Sequence, residues 1–244
     1  AWHAMLESVV SYQGDQRSRS GLVGGDGAQM RRYAAADTTY SGPYVQEVIA
    51  TALSVGESNA CMRKIVAAPT AGACGVLPAV LVPLYQMGRA TEEEILQALY
   101  TASGIGAVVS FRACIAGASG GCQAEIGTAS AMAAGALTSL RGGDPQQIGH
   151  AAAMALKNLM GLVCDPVAGL VQVPCALRNA SQAVNALLSA DLALGGMKSL
   201  IPLDEVVEAM YNVGHMLPTQ LRETALGGIA ATPTGVSVRV NMHK

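Results

Sequence analysis

Arg141-Gly142-Gly143-Asp144-Pro145-Gln146-Gln147 stops one helix and starts the next. Paired glycines leave helical φ/ψ easily and so mark a C-terminus. Asp144 is a good N-cap, Pro145 suits the first helical position, and Gln147 stands where a capping box needs it. Upstream, Gly127, Ala131 and Gly135 recur every four residues, which gives a helix over 124–141 a face for close packing. Downstream, the helix from Asp144 runs to about Leu159 and stops at Gly161. The same grammar repeats further out. Thr91-Glu92-Glu93-Glu94 matches a second capping box, and its helix places Ile95, Leu96, Leu99 and Ala102 on one face. Further helices are expected over 44–59, after the 67–75 loop to about Tyr85, over 175–191, and over 204–213, where Pro202 precedes and Gly214 ends the element. No stretch alternates as a strand does. The expectation is an all-α fold: one helical domain over residues 1–244, with long loops at 20–27, 67–75, 112–123 and 162–174. Loops of that length are usually functional.

Composition narrows the function classes. Charged residues are 13% of the 244, against about 25% in typical soluble domains, and apolar residues are 51%. The net charge of −2 offers no basic surface, so nucleic-acid binding has no electrostatic basis. The strongest apolar run, Cys74 to Met87, is too short to span a membrane and contains Pro78 and Pro83. Few charges also imply surface covered by a partner, in a homo- or hetero-oligomer. The opening at Ala1, in what reads as mid-helix (Trp2, Met5, Leu6, Val9), is taken as a fragment or processed chain. Ser20-Gly21-Leu22-Val23-Gly24-Gly25-Asp26-Gly27 lacks the spacing and the preceding strand of a dinucleotide fingerprint.

The chemistry sits in the loops. The six cysteines lack a Cys-x-x-Cys pair, which argues against structural zinc, and a chain this long needs no disulfide staples. Cys122 follows Gly120-Gly121, Cys164 precedes Asp165-Pro166, and Cys175 follows Pro174. Glycine lets the backbone approach closely and proline stiffens it, so three thiols stand on shaped loops. Three thiolates can hold three corners of a [4Fe–4S] cube and leave one iron open as a Lewis acid. Cys74 and Cys114 read as small core residues.

At these residues the sequence resembles the alpha, or catalytic, part of bacterial iron–sulfur L-serine dehydratases. The resemblance rests on Ala68-Pro69-Thr70-Ala71-Gly72, Gly121-Cys122-Gln123-Ala124-Glu125-Ile126-Gly127, Gly161-Leu162-Val163-Cys164-Asp165-Pro166-Val167-Ala168-Gly169, Val173-Pro174-Cys175, Arg178-Asn179-Ala180 and Arg222-Glu223-Thr224. It runs from about Ser20 to Gly235. It implies that Cys122, Cys164 and Cys175 ligate a [4Fe–4S] cluster, with sulfurs about 6–7 Å apart on a cube. It also implies conversion of L-serine to pyruvate and ammonia, in amino-acid degradation and gluconeogenesis, in the cytoplasm. A beta subunit or beta domain would complete the cleft. The N–H groups of Gly120 and Gly121 are expected near the cluster, with Thr70, Arg178 and Asn179 at the substrate. Lys157 joins Lys64, His150 and His215 as a possible base, without a Schiff-base role. One stretch departs from the family's usual Ala-Ser-Ile-Ser-Gly: here it is Ala113-Cys114-Ile115-Ala116-Gly117, with two hydroxyls missing. Two other readings therefore stand beside serine dehydration: the same chemistry on another β-substituted amino acid, such as desulfidation of cysteine, or a non-catalytic cluster-binding subunit.

Overall fold

The computed structural model describes residues 1–36 and 39–242, and among them the regular structure is entirely helical apart from one isolated bridge, Cys164 to Arg222. The helices are α1 (Trp2–Val10), α2 (Asp26–Ala34), α3 (Pro43–Ala60), α4 (Val76–Gln86), α5 (Glu92–Arg112), α6 (Gly117–Gly120), α7 (Thr128–Leu140), α8 (Pro145–Lys157), α9 (Cys175–Leu194), α10 (Leu203–Met216) and α11 (Pro233–Met242). The all-α, single-domain reading holds.

α7 is the axis of the molecule. Every residue from Thr128 to Thr138 is buried, and α4, α5, α8 and α9 pack around it. Its residues are mostly Ala, Ser, Thr and Gly, so its neighbours approach closely. At Gly135 a Cβ would collide with Ile105 of α5, which explains the four-residue spacing seen in the sequence. Both capping boxes form. Thr91 Oγ1 accepts from Glu94 N at 3.3 Å while Glu94 accepts from Thr91 N at 2.7 Å, and Asp144 and Gln147 exchange the same pair of bonds at 2.8 and 3.0 Å.

Several elements differ from expectation, each for a packing reason. Gly214 does not end α10, which continues to Met216. It is a contact point instead: a Cβ there would lie 2.8 Å from Gly120 Cα, so the glycine lets α10 lie directly on the loop that carries Cys122. Leu96 does not share the buried face of α5 with Ile95 and Ala102; it is 40% exposed. The 112–123 loop contains the short α6, and the 124–141 helix begins as a π-helical turn over Gln123–Gly127 before α7 proper. Such turns are frequent at functional sites. α11 carries no apolar stripe in the sequence and was not expected. By length and composition alone, α5 is long and apolar enough to cross a membrane, although polar residues interrupt its apolar ones.

Candidate active site

Two loops and the start of α9 bring Cys122, Cys164 and Cys175 to the same end of the α3–α4–α7–α9 bundle. Cys122 stands at the π-helical entry to α7, Cys164 in the loop after α8, and Cys175 at the first turn of α9. They are 2%, 4% and 7% exposed, and all are free thiols. Gly121 has φ +77°, a conformation that turns the chain from α6 into Cys122, and a Cβ there would lie 2.9 Å from Leu162 O. The Cys164 loop is pinned from two sides. Cys164 N donates to Leu221 O at 2.9 Å and Glu223 N donates to Cys164 O at 2.7 Å, which brings the 221–223 segment alongside.

Arg178, one turn into α9, ties the loops together. Nη1 donates to Val163 O and Nη2 to Asp165 Oδ1, both at 2.9 Å, and the guanidinium charge favours the Cys122 thiolate. Asp165 is 3% exposed, and its other oxygen accepts from Ile229 N at 2.8 Å. Burial works against the Arg178 charge, but Cys122 and Asp165 outweigh it and hold the guanidinium above its usual range.

Asn179 is 1% exposed and acts as a staple. Its Nδ2 donates to Gly72 O at 2.8 Å and Cys175 O at 2.9 Å, and Oδ1 accepts from Gly75 N at 2.8 Å. Both amide hydrogens are thus used within the protein. The staple fixes the 70–75 loop to the start of α9. From that loop Thr70 Oγ1 donates to Glu125 Oε2 at 2.7 Å.

Glu125 and Glu223 are the site residues that sequence reasoning missed. Burial raises the Glu125 carboxyl, Thr70 pulls it back, and the neighbouring Glu223 charge raises it further. Glu223 lies beside Cys164: a Cβ on Gly117 would be 2.8 Å from Cys164 Sγ and 3.4 Å from Glu223 Oε2. Its backbone is left-handed, at φ +64°. A signal for Glu125 was present, since it follows Cys122 by three residues at a helix entry and so shares its face. Glu223 had only its place in a motif.

The thiols feel one another. A hydrogen bond from Cys164 and the charge of Arg178 hold Cys122 below the ordinary thiol range against the cost of burial. Its Cys122 partner and burial push Cys164 strongly up. Burial, then the Cys122 charge, pushes Cys175 to about 12. Among the described residues, no three Cys, His, Asp or Glu groups close on a single ion. A four-iron cube instead spreads its thiolates over roughly 6–7 Å.

Other expectations shift as well. The N–H groups of Gly120 and Gly121 do not face the thiols; they donate to Ala116 O and Gly117 O, at 3.0 and 2.9 Å, inside the turn. The two glycines shape the loop rather than donate from it. Lys157 donates to Ser199 Oγ at 2.8 Å, and no interaction joins it to the cysteine cluster. Lys64 pairs with Glu7 at the surface, His215 bonds Tyr211 O within its own helix, and His150 lines a shallow cleft beside Asp144 and Lys198. Cys74 is a core residue, and Cys114 packs under the α6 turn, where a Cβ on Gly120 would touch its sulfur at 2.6 Å. A cavity of about 820 Å³ borders the loop between Cys164 and Cys175, lined by Ser20, Leu22, Leu170 and Gln172 among others.

This gathering of buried thiols, carboxyls and an arginine at one end of a helical bundle is that of a thiol-rich enzyme centre. Serine dehydratase alpha chain is the family description that matches residues 1–230, and the chain belongs to that family. It is 50% identical over 218 residues to the probable L-serine dehydratase alpha chain of Bacillus subtilis (strain 168), covering 89% of this chain and 73% of that one. It is 48% identical over 223 residues to the L-serine dehydratase alpha chain of Peptoniphilus asaccharolyticus, covering 91% and 76%. L-serine dehydratase 1 of Escherichia coli (strain K12) is 44% identical over 181 residues, which is 73% of this chain and 40% of the E. coli protein.

Proposed function

We propose that this chain is the catalytic part of an L-serine dehydratase that releases pyruvate and ammonia, and that Cys122, Cys164 and Cys175 hold a [4Fe–4S] cluster. The observation that carries the reading is three buried free thiols, Cys122, Cys164 and Cys175, beside Arg178 and Glu125. The donor set fits such a cluster: all three groups are sulfur, none is in a disulfide, and an arginine favours the thiolate form of one of them. When bound, the cluster would supply an open iron as a Lewis acid toward the substrate hydroxyl.

The protein's own groups have separable roles. Arg178 brings a positive charge to the Cys122 thiol and sets the shape of the 163–165 loop. Glu125 is the carboxyl placed to take the α-proton: burial raises its pKa, which makes it a better base, and the Thr70 hydroxyl orients Oε2. Asn179 is a positioning residue that holds Thr70's loop in place. Gly120 and Gly121 shape the Cys122 turn. Loss of the hydroxyl leaves an enamine, which tautomerises to an imine and hydrolyses in water.

The alpha-chain designation of two relatives, and the longer E. coli relative, support a separate beta part that completes the cleft. A reduced cluster and free thiols suit the cytoplasm. The test is anaerobic purification with iron and sulfide counts, visible absorbance and pyruvate formation from serine, threonine and cysteine. Wild-type protein should hold close to four irons and favour serine; Cys122→Ala, Cys164→Ala and Cys175→Ala should each lose the chromophore. Full pyruvate formation by iron-free protein overturns the cluster. An iron-loaded protein that ignores serine overturns the substrate.

A further inference from the structure

The four helices that carry the thiol site at one end leave a cavity at the other. It measures about 230 Å³ and is lined from the start of α3 and from the last turns of α4, α7 and α9. At about 1.5 Å per residue, Leu137 lies about 20 Å along the helix from Cys122, so the cavity is remote from the proposed chemistry. Its walls are aliphatic: Leu84 and Leu137 are buried, with Leu187 and Leu194 half-buried beside them. Its mouth is charged. Arg89, Arg141 and Asp191 are exposed there, and the charges of all three reach the Tyr44 hydroxyl.

These three charges share one cavity, yet among the described residues none of them enters an ion pair or a side-chain hydrogen bond. Arg89 is held in place without being used up: its guanidinium lies over the Tyr44 ring, 5.8 Å from the centroid. Tyr44 is fixed in turn, because its hydroxyl donates to Val80 O at 2.9 Å. The charge of Glu94 reaches Arg141, but the Glu94 carboxylate is engaged in the Thr91 capping box. Two guanidinium forks and one carboxylate thus stand free over an aliphatic hollow.

We propose that this cavity binds a free α-amino acid with a branched aliphatic side chain, its carboxylate at Arg89 and Arg141, its ammonium at Asp191 and its side chain among the leucines. Guanidinium groups match a carboxylate in shape and charge. Asp191 selects the ammonium: an aliphatic acid without one would bring its carboxylate to the same mouth as Asp191 with no cation of its own to set against it. Size sets the limit. An apolar cavity of about 150 Å³ admits benzene, so one of this volume takes a molecule of about nine heavy atoms, the size of leucine. Serine is disfavoured, because the one hydroxyl in the lining, that of Tyr44, is already spent on Val80 and leaves a buried ligand hydroxyl unanswered.

The experiment is isothermal titration calorimetry of the purified protein under anaerobic conditions. The probes are L-leucine, L-serine and 4-methyl-2-oxopentanoate, which keeps leucine's carboxylate and side chain and lacks its ammonium. Leucine should bind once per chain, more tightly than the oxo acid, and saturating serine should not displace it. Arg89→Gln and Arg141→Gln should each weaken leucine by about tenfold or more, the worth of one hydrogen bond to a charged group. Asp191→Asn should weaken leucine to a similar degree and leave the oxo acid bound as well as before. All three residues are exposed, so helical circular dichroism should not change. Arg32→Gln, which removes an exposed arginine of α2, should leave leucine binding as it was. The proposal is overturned if millimolar leucine gives no binding heat, if both arginine variants bind it as the wild type does, or if serine displaces it. An oxo acid that binds as tightly as leucine overturns the amino-acid assignment.

Discussion

Replacing Asn179 by alanine should unseat the 70–75 loop, and its cost can be worked from the hydrogen bonds. Of the three groups that Asn179 engages, Cys175 O also lies within the α9 ladder, so its partner is not lost entirely. Gly72 O and Gly75 N depend on the side chain across a sequence gap of more than a hundred residues. Asn179 is 1% exposed, and Gly72 and Gly75 are buried. Each buried backbone group left without a partner costs about 1–3 kcal/mol, so the pair gives roughly 2–6 kcal/mol. At about 2–4 °C per kcal/mol for a chain of this size, the lower half of that range means a fall in Tm of roughly 4–16 °C. Asn179→Asp should be worse still, because it turns the Nδ2 donor into an oxygen facing Gly72 O and Cys175 O and buries a charge. The assays are urea unfolding of the anaerobic protein, iron content and kcat for serine. Stability should fall first, with iron content and kcat following because Thr70 no longer holds Glu125. If Asn179→Ala unfolds like the wild type yet loses kcat, the positioning role is wrong and Asn179 touches the substrate.

Further outcomes follow from the same geometry. Activity should decay in air and return on anaerobic incubation with Fe²⁺ and a thiol, whereas full activity after overnight aeration with chelator would exclude an open iron. Cys114→Ser with Ala116→Ser should raise kcat/KM for serine by roughly two- to tenfold, about one hydrogen bond's worth, if the missing hydroxyls position substrate. Because Ala116 caps α6, the serine should also add up to about 1 kcal/mol of stability, visible in a melt even if the kinetics stay flat. Tyr12 donates to the buried Glu57 carboxylate at 2.5 Å, and burial, then that bond, raises its pKa to about 12. The folded state therefore keeps the proton that the unfolded state releases above about pH 10. Tyr12's share of stability should be lost between about pH 10 and 12, by about 1 kcal/mol after solvent screening of this part-exposed ring. Tyr12→Phe should remove that alkaline slope, and an unchanged slope would refute the assignment.

The sequence by itself determined most of the helices and marked the segments that carry the three thiols. Capping boxes, helix stops and the small-residue spacing of α7 act over a few residues, so they can be read locally. Gly120, Gly121, Pro166 and Pro174 likewise mark the loops around Cys122, Cys164 and Cys175 without reference to anything distant. Only the tertiary structure decided what those loops face. Glu125 acquires its character from Thr70, 55 residues away, and from burial under loops that no local signal joins to it. Asn179 reads as a polar residue on a helix until Gly72 and Gly75 arrive at its amide. Gly214 reads as a helix stop until Gly120 lies against it, and Leu96 reads as a core residue until α7 takes the neighbouring face. Propensity and capping are energies of adjacent residues, whereas burial, charge coupling and close approach are energies of residues that the chain brings together only when it folds.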